Sequence, residues 1–98
     1  MNLLKETLEV LEECNKTEQD ILWVSSNDNG YFSFEEFKQL ANIEYDNGYG
    51  GAEVDYSLVI VGEDFWLSRG EYDGSEWWDF NIKPTKPNAH KVPTSLLS

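Results

Sequence analysis

Asp73-Gly74, set between FWLSRGEY and SEWWDFNI, constrains the fold more than any other feature of the chain. A two-residue hairpin loop needs positive φ at both central positions, which Asp and Gly accept at little cost, and the flanking runs are rich in aromatic strand formers. With these two as the loop, Tyr72 faces Ser75, Glu71 faces Glu76, Arg69 faces Trp78, Leu67 faces Phe80 and Phe65 faces Ile82. Alternation then puts Phe65, Leu67, Trp78, Phe80 and Ile82 on one side as core, and Trp66, Tyr72, Trp77 and Asp79 on the other. Gly62-Glu63-Asp64 is a second turn signal after LVIV, so residues 58–82 read as an antiparallel meander.

The N-terminal half supplies the helices. Leu4, Leu8 and Leu11, flanked by Val10 and Cys14, give residues 2–14 an apolar stripe among acids, which predicts an amphipathic helix stopped by a left-handed Asn15. Lys16–Asp20 is a loop, and ILWV at 21–24 is a strand running into SSNDNG. Asn29-Gly30 suits a two-residue hairpin loop, with Tyr31 and Phe32 starting the return strand. Ser33-x-x-Glu36 is a capping box that opens a helix over 34–43, with Phe34, Phe37, Leu40 and Ala41 as its packed stripe. EYDNGYGGAEVDY reads as an irregular loop, which leaves open whether Tyr45, Tyr49 and Tyr56 pack or project. The reading is one α+β domain over 1–82: an antiparallel meander with an N-terminal helix and a second short helix packed on the sheet. KPTKPNAHKVPTSLLS, 83–98, is a flexible tail with three prolines, three lysines and no acid.

Charge limits function. Of 98 residues, 19 are Asp or Glu and 7 are Lys or Arg, for a formal net charge of -12. A chain so acidic does not bind nucleic acid directly. Apolar runs are too short to cross a bilayer and no polybasic segment holds to one. The lone Cys14 makes no internal disulfide, and a cytoplasmic setting is the expectation.

The SSNDNGYFSFEEF segment is similar to an EF-hand calcium loop, with Ser25, Asn27, Asn29 and Glu36 among the ligand positions. Ser stands where Asp is usual at the first position, and Glu36 alone is ionised. Hairpin and helix-cap chemistry explain the same residues without a metal. No metal or other cofactor is assigned. Enzymatic sets are lacking too: His90 lies in the tail, Cys14 lies among acids with no credible partner, and Gly48, Gly50 and Gly51 are not spaced as a phosphate loop.

The acids are unevenly placed. Residues 1–82 hold all nineteen acids against Lys5, Lys16, Lys38 and Arg69, a charge of -15, and the tail carries +3. Glu44, Asp46, Glu53, Asp55, Glu63, Asp64, Glu71, Asp73, Glu76 and Asp79 meet one base, Arg69. Such a concentration either keeps a small protein soluble or imitates phosphates toward a basic groove. Trp66 and Trp77 are either anchors of that interface or a second core under the N-terminal helix. Glu71 opposite Glu76 needs Arg69 or a basic partner to offset it.

In size, one-domain economy, the acidic meander EVDYSLVIVGEDFWLSRGEYDGSEWWDF and lack of catalytic residues, the chain resembles small acidic phage and prophage proteins, DNA-mimic anti-CRISPR proteins among them. The resemblance implies a non-enzymatic inhibitor in the cytoplasm of a bacterial host. Its partner is then a basic nucleic-acid-binding protein such as a CRISPR effector nuclease, met through the ten acids above with Trp66 and Trp77. Whether it acts as a monomer or a homodimer is left open.

Overall fold

A computed structural model describes residues 1–46, 51 and 53–97. Helix α1 spans Leu3–Glu13, strands β1 and β2 span Ile21–Ser26 and Gly30–Phe32, helix α2 spans Phe34–Ala41, and β3, β4 and β5 span Val59–Gly62, Phe65–Tyr72 and Ser75–Ile82. The expected α+β architecture is present. The N-terminal hairpin does not stand apart from the meander: β1 pairs with β3, giving one antiparallel sheet in the order β2-β1-β3-β4-β5. Across its middle runs a row of paired apolar residues, Val24, Ile60, Leu67 and Phe80. The first three have no exposed surface, and both helices pack over this inner face through Leu3, Leu11, Phe34, Phe37 and Ala41.

The β4–β5 register matches the expectation at every pair from Phe65↔Ile82 to Tyr72↔Ser75. Asp73 and Gly74 sit at φ 51° and 85°, as a loop matched to strand twist requires. The other hairpin differs. Ser26 pairs with Gly30, so its loop is the three residues Asn27–Asn29, and only Gly30 takes a positive φ, 65°. Leu22 is the extra residue of a β1 bulge and stays exposed.

Helix α1 ends as expected on a left-handed Asn15, φ 59°, with Lys16 N–H donating to Leu11 O and Asn15 N–H to Glu12 O. Its buried stripe is Leu3, Thr7 and Leu11, not Leu4, Leu8 and Leu11; Leu8 faces water. Thr7 goes inside because its hydroxyl donates to Leu3 O at 2.7 Å and accepts the Trp78 indole N–H at 2.9 Å, so neither polar group is buried unmatched. In α2 the Ser33–Glu36 capping box forms, but the helix stops at Ala41 and Leu40 points outward. Ile82 is exposed and Phe80 half-buried at the end of the edge strand β5, where Phe80 stacks on the buried Phe65 at 5.5 Å. Tyr45 is buried and Tyr56 exposed; Tyr49, Gly48 and Gly50 lie outside the described residues. Lys83–Leu97 contains neither helix nor strand, and each of its residues is exposed.

Candidate functional site: the open sheet face and its acidic ends

No described helix covers the other side of the sheet. Its paired rows are Trp23–Val61–Trp66–Asn81 and Tyr31–Ser25–Val59–Ser68–Asp79, with Gly70↔Trp77 and Tyr72↔Ser75 beyond them. Trp66 and Trp77 are on this face at 38% and 39% exposure, so they are not a second core under α1. Trp23, 40% exposed, joins them. The sequence holds its phase in ILWVSS, because Val24 as core forces Trp23 outward, but which of the two faced the helices was not evident.

Gly70 makes room for Trp77. A Cβ there would fall within the Trp77 ring, which lies over the glycine and donates its indole N–H to Asp79 Oδ1 at 2.8 Å. Asp79 is the one charged side chain among the described strand residues directed to this face. In a chain of net charge -12 this face is aromatic, aliphatic and hydroxylic.

The acids lie around it rather than on it. Asp20, Glu63 and Asp64 gather where β1 starts and β3 turns into β4; Asp28, Asp55, Glu71 and Asp73 sit toward the opposite end, by the β1–β2 loop, the approach to β3 and the β4–β5 turn. Eight residues of β4 separate the two ends, roughly 27 Å of strand. Glu63, Asp28 and Asp73 form no ion pair among the described residues, whereas Lys16 meets Asp64 at 3.4 Å. Asp55 accepts from the Ser57 N–H and hydroxyl. Glu44, Asp46 and Glu53 belong instead to the segment after α2: Glu44 pairs with the Met1 ammonium at 3.2 Å, and Glu53 accepts the Asp46 N–H at 2.9 Å.

Glu76 is a correction. It is 3% exposed and lies on the inner face, where Arg69 Nη2 reaches it at 3.1 Å. It also accepts the Glu53 and Val54 N–H groups at 2.7 and 3.1 Å, tying that loop to β5. Arg69 further meets Glu6 at 3.5 Å and stacks over Trp78 at 4.7 Å. Glu76 is thus a structural carboxylate, unavailable to a partner, and Arg69 is what offsets the Glu71–Glu76 pairing. Burial, then a hydrogen bond to Glu6 at 2.6 Å, pushes the Tyr45 phenol up to about 12.

The calcium-like positions do not converge on one cavity. Ser25 is paired within the sheet to Tyr31 and Val59. The Glu36 carboxylate turns back to Ser33 at 3.0 Å, and that hydrogen bond holds its pKa below the usual value. Asn29 donates to Ser26 and Asn27 N–H to Ser57. Among the described residues no three His, Cys, Asp or Glu side chains cluster as a metal site. His90 is exposed in the tail, and Cys14, half-buried, caps α1. No described helix is long and apolar enough to cross a membrane. Comparison with protein-family models, curated proteins and solved structures finds no match to this chain.

Proposed function

We propose that this protein is a non-enzymatic binding module for a basic, nucleic-acid-binding protein, holding carboxylates where that protein would otherwise hold phosphates. The observation that carries the reading is the segregation of charge: an aromatic sheet face with one acid, bordered by two acidic ends whose Glu63, Asp28 and Asp73 form no ion pair among the described residues. Interfaces have this anatomy, with charge depleted at an aromatic centre and polar groups at the rim. Carboxylates at the rim steer a cationic partner and release its counterions, as phosphates do. The likeness to phage DNA-mimic proteins offers a CRISPR effector nuclease as an example of the target. The phosphate-like set is Asp28, Glu63, Asp64, Glu71 and Asp73; Glu76 is excluded by its burial.

The test is affinity capture from a bacterial lysate at low and high salt, followed by elution with duplex DNA. The reading expects nucleic-acid-binding proteins to be retained at low salt and displaced by DNA. Glu63→Lys with Asp64→Lys, or Asp28→Lys with Asp73→Lys, should each weaken capture about tenfold, the loss of roughly 1.4 kcal/mol. Capture indifferent to salt, DNA and both charge reversals refutes it.

A further inference from the structure

Trp23 and Trp66 differ from the other two tryptophans in one chemical respect. Trp77 spends its indole N–H on Asp79 and Trp78 on Thr7. The indole N–H groups of Trp23 and Trp66 make no hydrogen bond among the described residues. The two rings stand in one row across the sheet, on β1 and β4, with Val61 of β3 between them. Two strand spacings place their Cα atoms about 9.6 Å apart.

Two prolines three residues apart in a polyproline II helix are separated by about 9.3 Å. Such a segment is stiff before it binds, has no internal hydrogen bonds and presents bare carbonyls, and aromatic grooves capture it by seating prolines on rings while indole N–H groups donate to those carbonyls. Two residues beyond the row, in the β3–β4 turn, stand Glu63 and Asp64, and Asp20 stands three residues before Trp23 at the start of β1. A lysine or arginine flanking the prolines meets opposite charge there.

On the reading of a basic partner given above, we infer that this face receives an extended, lysine-flanked Pro-x-x-Pro segment of that partner, its prolines seated on Trp66 and Trp23. A second copy of the chain is a poor occupant, because stacking two such faces sets acidic end against acidic end in molecules of net charge -12. Nucleic acid is repelled for the same reason. The chain itself carries a segment of the required kind, Lys83-Pro84-Thr85-Lys86-Pro87, which leaves β5 at the end of the sheet nearest the row. Exposed and starting beside Asp64, whose carbonyl accepts the Lys83 N–H at 2.8 Å, it is a competitor for the site within the same molecule.

The experiment titrates a synthetic peptide, Lys-Pro-Thr-Lys-Pro-Asn-Ala-His-Lys, into two full-length chains, the natural one and one carrying Pro84→Ala and Pro87→Ala, with calorimetry and indole fluorescence as readouts. A control peptide has both prolines replaced by alanine. The inference expects the substituted chain to bind the proline peptide at least about tenfold more tightly than the alanine peptide. It expects weaker binding by the natural chain, whose tail competes. Trp23→Ser with Trp66→Ser, both exposed and leaving the circular dichroism unchanged, should abolish it. Absence of binding by both chains overturns the inference, as does binding that survives loss of both tryptophans. Equal binding of the two peptides overturns it as well, while leaving intact the reading of the protein as a binder of basic chains, since acidity alone would then be the attraction.

Discussion

Glu71 and Glu76 stand opposite each other on one hairpin and do different work. Glu71 is exposed and accepts the Gly74 N–H at 3.2 Å, whereas Glu76 is buried against Arg69. Removing one member of a buried, hydrogen-bonded ion pair strands the other. Glu76→Ala should therefore cost about 3–5 kcal/mol in chemical denaturation, and Glu71→Ala less than about 1 kcal/mol. Equal costs would contradict the assignment. Tyr45 gives a pH signature of the same network. Its folded pKa is raised, so the neutral phenol is the favoured form. The stability it contributes is complete below the ordinary tyrosine value near 10 and is lost as pH rises through about 12. An alkaline titration followed by tyrosinate absorbance should show a late step near pH 12, and Tyr45→Phe should remove it.

Among the elements, the two buried glycines of the sheet separate packing from placement. A Cβ at Gly62 would enter the ring of Phe65, which is 2% exposed and has nowhere to move, so Gly62→Ala should destabilise by about 1–3 kcal/mol. At Gly70 the obstacle is the Trp77 ring, free to swing into water. Gly70→Ala should cost less stability and instead release Trp77, seen as increased quenching of its fluorescence; the opposite ranking would contradict the packing described. Elements of this kind were legible where local chemistry fixes them. Asp73-Gly74 fixed its register, Ser33 and Glu36 their cap, and Asn15 its stop. What escaped was set by distant partners. Thr7 is inside only because Trp78 needs an acceptor, and β1 pairs with β3 across the intervening β2, α2 and the segment after α2, a pairing no local signal announces. The candidate site was half legible: Trp66 and Trp77 share a face by alternation alone, but Trp23 joins them only once the strand order is known. Glu76 went unrecognised as internal because the sequence does not show that β5's inner face meets the Glu53–Val54 loop.

For the whole molecule, a net charge of -12 is self-repulsion that salt relieves. Thermal unfolding should therefore shift upward as monovalent salt is added, while binding to a basic partner weakens, because one effect screens like charges within the chain and the other screens unlike charges between chains. A protein whose acids served solubility alone would show the first trend without the second. The four tryptophans report on the sheet face directly, since three stand on it and Trp78, 6% exposed and bonded to Thr7, lies beneath. The decisive measurement is the NMR of the four indole N–H groups during titration with a basic protein captured at low salt and released by DNA. The account predicts that Trp23, Trp66 and Trp77 shift or broaden together while Trp78 holds still; saturation with all three outer indoles unmoved would contradict it.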